Sequence, residues 1–147
     1  MKKKILEAPV LALPNLQRTF EVEIDASDYV LGAVLIQDGK PVEYKPELFS
    51  GAIKNYPTYD KEFYSLYQAI KHWRVYLLGK EVIVHSDHKP LEYLHAQSKL
   101  QQARHMKWMS YLMSFNIIIR YKKGMTNKLA NMLSRPPMRS LLVAMRI

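Results

Sequence analysis

Phe20-Glu21-Val22-Glu23-Ile24-Asp25 alternates apolar and acidic residues, the period-two pattern of a half-buried strand. The apolar run Ala33-Val34-Leu35-Ile36 predicts a second strand, Asp38-Gly39 a hairpin turn, and Val42-Glu43-Tyr44 the return strand. Three strands joined in this way predict an antiparallel meander. Thr58 is the expected N-cap of a long helix to Leu78, with Phe63, Leu66, Tyr67, Ile70 and Leu77 on one stripe and Gly79 ending it. Glu81-Val82-Ile83-Val84-His85 reads as a fourth strand, and Pro90 as part of the first turn of a short helix. A further helix is expected from Arg104 to Phe115, with Trp108, Leu112 and Phe115 at i, i+4 and i+7. Ile117-Ile118-Ile119 predicts a buried fifth strand, and residues 127–133 a last helix that stops before Pro136-Pro137. The order is β-β-β-α-β-α-α-β-α, an α/β chain. Residues 1–19 form a lead-in or connection segment, 20–135 the folded domain and 136–147 a tail.

Composition narrows the class. A chain of 147 residues suits one domain, and 48% hydrophobic with 24% charged residues is a globular composition. With no cysteine, disulfides, thiolate metal sites and a Cys nucleophile are excluded. The formal net charge of +9 favours a polyanionic partner such as nucleic acid. No apolar run approaches the length that spans a bilayer, and no secretory signal is visible, so an intracellular, membrane-free protein of unknown oligomeric state is expected.

Three acids fall at element ends that this order brings together: Asp25 closes the first strand, Glu62 lies in the first turns of the long helix, and Asp87 closes the fourth strand. Carboxylates converging there suit a hard divalent cation such as Mg²⁺, because without one the like charges repel. Each has a plainer reading. Glu21, Glu23 and Asp25 could line a solvated face, Glu62 could be a surface charge near a helix N-terminus, and Asp87 could cap the next helix. His88 beside Asp87 suits local packing better than Mg²⁺ ligation. Trp73 and Trp108, at helical spacing, read as core.

The same residues carry a resemblance. Asp25-Ala26-Ser27 with Gly32-Ala33-Val34-Leu35, Tyr56-Pro57-Thr58-Tyr59-Asp60-Lys61-Glu62, His72-Trp73-Arg74-Val75-Tyr76-Leu77-Leu78-Gly79 and Ser86-Asp87-His88-Lys89-Pro90-Leu91 follow one another as in the ribonuclease H domain of gypsy-type long-terminal-repeat retrotransposon polyproteins. Residues 127–136, Asn-Lys-Leu-Ala-Asn-Met-Leu-Ser-Arg-Pro, are similar to its closing helix. The resemblance implies a ribonuclease H-like fold, a mixed five-stranded sheet flanked by helices. It implies an endonuclease, part of an RNA-directed DNA polymerase polyprotein, that hydrolyses the RNA strand of RNA–DNA hybrids with two Mg²⁺ ions, Mn²⁺ being a possible substitute. Asp25 matches the carboxylate that bridges both ions, and Glu62 and Asp87 match those associated mainly with the leaving-group ion.

At the fourth carboxylate position this chain departs from the family, with Ala130-Asn131 where relatives have Ala-Asp. An amide brings no negative charge, so impaired hydrolysis is expected. The alternative is a non-catalytic nucleic-acid-binding remnant of a decayed retrotransposon. Arg104 and Lys107, and Lys122, Lys123 and Lys128 around the fourth position, are the candidate contacts to the hybrid backbone. The family's polymerase domain is expected upstream as a partner in the parent polyprotein, and residues 138–147 do not resemble the start of an integrase.

Overall fold

The computed structural model describes residues 11–91 and 103–122. Five strands, β1 (Phe20–Ala26), β2 (Val30–Gln37), β3 (Lys40–Leu48), β4 (Glu81–Ser86) and β5 (Asn116–Tyr121), form one sheet in the order β3-β2-β1-β4-β5. β1, β2 and β3 pair antiparallel, the expected meander, whereas β4 runs parallel to β1 and β5 parallel to β4. The sheet is therefore mixed, with β1 at its centre. Asp38 (φ 54°) and Gly39 (φ 77°) both take left-handed backbone, as a two-residue hairpin of right-twisted strands requires. β3 runs longer than Val42-Glu43-Tyr44 and tolerates Pro41 and Pro46 because it lies at the sheet edge, where not every N–H must join a ladder.

Helix α1 (Thr58–His72) lies on one face of the sheet, and its Phe63, Leu66, Tyr67 and Ile70 are buried with Val22, Ile24, Leu31, Ala33 and Leu35. Four corrections to the expected elements have local causes. Pro57 holds the N-cap position rather than Thr58, which is already helical. The long helix does not reach Leu78 unbroken. Trp73 (φ −104°, ψ 22°) separates α1 from a short helix α2 (Arg74–Leu77), and no Gly or Pro marks the break. The break accompanies burial of both Trp73 and Leu77, while Val75 stays exposed. Helix α3 (Ala103–Leu112) ends before Phe115, whose N–H bonds the Leu112 carbonyl and whose ring is buried from a turn. β5 is the edge strand among the described residues, and of its three isoleucines Ile117 alone is buried. The 127–133 helix and the 136–147 tail lie outside the described residues.

α3 docks on α1 through Trp108, whose ring lies 5.1 Å from Phe63, 5.8 Å from Tyr64 and 6.2 Å from Tyr67, centroid to centroid. The lead-in is clipped to the sheet by Gln37, whose amide exchanges hydrogen bonds of 2.7 Å with the Asn15 backbone N–H and carbonyl.

Candidate metal centre

The parallel pairing of β1 with β4 decides where the acids meet. Its register sets Glu23 opposite His85, and two residues further on it brings Asp87, in the bend after β4, beside Asp25. Ser86, fully buried, shapes that bend: its Oγ accepts the His88 N–H at 3.0 Å, and its carbonyl accepts the Lys122 N–H at 2.9 Å. Glu62, one turn into α1, completes the group. A carboxylate oxygen from each of Asp25, Glu62 and Asp87 lies within 4.8 Å of the others, with Asp87 exposed, Asp25 half-buried and Glu62 3% exposed.

The electrostatics follow from that packing. Burial, then the charges of Asp25 and Asp87, push the Glu62 carboxyl up to about 8, with the Ala26 backbone N–H as the opposing influence. Asp25 is also raised, first by burial and then by Asp87, and again Ala26 opposes. At neutral pH the cluster without a cation thus retains a proton that a cation would displace. Glu62 Oε1 is buried without a hydrogen-bond partner among the described residues. A buried carboxylate oxygen lacking a donor, in an all-oxygen group of three acids, fits a hard divalent ion such as Mg²⁺.

Two of the plainer readings do not describe the structure: Glu62 is not a surface charge, and Glu23 does not lie on a solvated face, whereas the Glu21 side chain stays half-exposed. Glu23 is buried, with the Lys122 Nζ 3.8 Å from its Oε2, and Glu21 meets His85 at 2.6 Å. The helix turn of Glu62 carries two further buried charges that single-residue patterning had not singled out, Asp60 and Lys61. Asp60 Oδ2 accepts from Arg104 Nε at 2.8 Å and from its Nη2. His105 Nε2 stands 3.0 Å from Oδ1 without the alignment of a hydrogen bond. Arg104 also lies over the Tyr56 ring, 4.0 Å from its centroid. Its guanidinium is therefore engaged inside the fold, joining α3 to α1. Lys107 is exposed, and the Lys122 side chain is 40% exposed. Lys123, Lys128 and Asn131 lie outside the described residues.

Comparison with known proteins bears on the family and the fold. The family described as "RNase H-like domain found in reverse transcriptase" matches residues 15–115. The retrovirus-related Pol polyprotein from transposon 297 of Drosophila melanogaster is 36% identical over 135 residues, covering 92% of the chain and 13% of the polyprotein. The chain thus spans about an eighth of that relative's length. Among solved structures, the foamy viral protease-reverse transcriptase in complex with dsDNA superposes with a TM-score of 0.69 at 20% identity, covering 85% of this chain and 28% of that one. LC11-RNase H1 in complex with RNA/DNA hybrid gives a TM-score of 0.59 at 12% identity, covering 77% and 90%. These two likenesses speak for the fold, a mixed five-stranded sheet with flanking helices.

Proposed function

The chain belongs to the RNase H-like domains of reverse transcriptases, and we propose that it hydrolyses the RNA strand of RNA–DNA hybrids at Asp25, Glu62 and Asp87, impaired by Asn131. One observation carries the reading: three carboxylates from a strand, a helix and a loop meet within 4.8 Å, and one buried oxygen lacks a donor. So costly an arrangement is relieved either by a retained proton or by a divalent cation that displaces it.

Asp25, Glu62 and Asp87 would hold Mg²⁺, or Mn²⁺ in its place. When bound, two such ions supply activation of the attacking water and stabilisation of the leaving oxygen. The chain's own part is to hold the acids in register: the β1–β4 pairing sets Asp25 and Asp87 side by side, and α1 brings Glu62 from above the sheet. Exposed Lys107 and the half-exposed Lys122 are the described cations that would meet the hybrid backbone. Lys123 and Lys128 join them on the sequence reading. Arg104, held by Asp60, serves instead to fix α3. The polymerase part of a parent polyprotein is the proposed covalent partner.

Asn131 removes one negative charge from the ligand set that the family resemblance assigns. Loss of one electrostatic stabiliser costs on the order of 3 kcal/mol in the transition state, roughly a hundredfold in rate. The alternative, a nucleic-acid-binding remnant without cleavage, is favoured by that same residue, while the net charge of +9 suits both readings. Cleavage of a labelled hybrid in Mg²⁺ and in Mn²⁺ by the parent, Asn131→Asp and Asp87→Ala separates the two. Hybrid cleavage by Asn131→Asp that disappears on adding Asp87→Ala supports the nuclease. Absence of cleavage from folded Asn131→Asp overturns it in favour of the binding remnant.

A further inference from the structure

Lys61 is a cation buried to 8% exposure, next in sequence to the buried Glu62. The hydrogen bond its ammonium donates goes to a backbone carbonyl, Asp28 O at 2.8 Å, and its Nζ lies 5.7 Å from the centroid of the Phe49 ring. Asp28 sits in the turn of residues 27–30 that joins β1 to β2. Ser27 closes that turn: its N–H bonds the Val30 carbonyl at 2.9 Å, and its Oγ accepts the N–H groups of Tyr29 and Val30 at 3.2 and 3.1 Å. The Tyr29 carbonyl accepts the Phe49 N–H at 2.8 Å, so the turn is tied to the end of β3 as well. Lys61 itself is held in place, because the Ser65 hydroxyl donates to its carbonyl at 2.7 Å.

This turn begins directly after Ala26, the last residue of β1 and the neighbour of Asp25. We infer that Lys61 is a positioning residue for divalent-ion binding, tying the turn that follows Asp25 to the helix that carries Glu62 through the Asp28 carbonyl. The inference rests on the metal-site reading above. Its physical basis is that three converging carboxylates push apart when ionised, so the strand end and the helix need a tether that resists separation. A buried ammonium supplies one, because moving the turn away would leave the charge without its acceptor in a desolvated place. Lysine suits the task through its reach. Its long stem carries the ammonium over the Phe49 ring to a carbonyl in the turn between β1 and β2.

The test uses the full chain and Mg²⁺ alone, followed by calorimetric titration at a temperature where circular dichroism shows each variant folded. Lys61→Met keeps the apolar stem and removes the donor. The half-saturating Mg²⁺ concentration is expected to rise about tenfold, as loss of a residue supporting metal ligands does, and Lys61→Arg to recover part of that loss. Unchanged half-saturation in Lys61→Met, with only a lower Tm, overturns the inference. Should Lys61→Met fail to fold, Ser27→Ala loosens the same turn from its other side. It is expected to weaken Mg²⁺ binding in the same direction, and an unchanged value overturns the inference. A parent chain showing no Mg²⁺ binding that Asp25→Ala removes would overturn the metal-site reading itself, and this one with it.

Discussion

Asp25, on the central strand, and Glu62, on the helix above it, bring carboxylate oxygens within 4.8 Å of each other beside Asp87. Burial, then the charges of Asp25 and Asp87, hold the Glu62 carboxyl up at about 8, so without a cation it keeps its proton near neutrality. The pairing is thus poised for a cation, and its energetics are open to measurement without any substrate.

The stability of the metal-free chain should fall as pH rises. The Glu62 carboxyl is raised from 4.5 to about 8, so the folded state keeps a proton that the unfolded state has released across that window. Where the native state binds more protons, raising pH favours unfolding. The raised Asp25 acts in the same direction. Glu47, lowered by Lys45 and its hydrogen-bonding neighbours against the opposing effect of burial, acts oppositely, with its contribution lost only as pH falls through its depressed value. Urea denaturation in EDTA should show a loss of roughly 3 kcal/mol between about pH 5.5 and about pH 8.5. In Glu62→Gln most of that slope should vanish; a slope that persists would refute the assignment.

Mg²⁺ should raise Tm, and more at pH 8.5 than at pH 6, because ion and proton compete for the same oxygens. Titrations in buffers of different ionisation enthalpy should register release of close to one proton per chain at pH 7 and almost none near pH 9.5, following from a group titrating at about 8. Equal proton release at both pH values would show that Glu62 is not the displaced group.

Arg104 and Lys107, three residues apart on α3, should behave differently. Arg104→Ala leaves Asp60 buried without its main partner and should cost about 3 kcal/mol in urea denaturation, with the salt dependence of hybrid binding unaltered. Lys107→Ala should leave stability unchanged and reduce the slope of log affinity against log salt by about 1. If Arg104→Ala instead changes the slope, its guanidinium reaches the phosphates despite Asp60.

Trp73→Ala should be among the most damaging core changes. The ring is 1% exposed where α1 breaks, and truncation leaves a cavity costing about 3–5 kcal/mol. The measurement is the denaturation midpoint, with the slope checked for constancy. A loss below about 1 kcal/mol would mean that the break lets the two helices close over the space.

The amino-acid sequence alone determined the elements whose cause is local. Alternation in residues 20–25, the Asp38-Gly39 turn, and the apolar stripe of Phe63, Leu66, Tyr67 and Ile70 each depend on neighbours within a few residues, and all appear where expected. It also set Asp25, Glu62 and Asp87 at the ends of their elements. Tertiary structure decided the rest. The helix breaks at Trp73 without a breaker residue, and Glu23 is buried rather than solvated. Three adjacent ionisable residues, Asp60, Lys61 and Glu62, all turn inward: Arg104 on α3 meets Asp60, the Asp28 carbonyl meets Lys61, and Glu62 converges with Asp25 and Asp87 as a carboxyl that burial and their charges keep protonated near neutrality. A charged side chain can be buried only where a partner meets it. Those partners stand tens of residues away, beyond what any local pattern of hydrophobic and polar positions records.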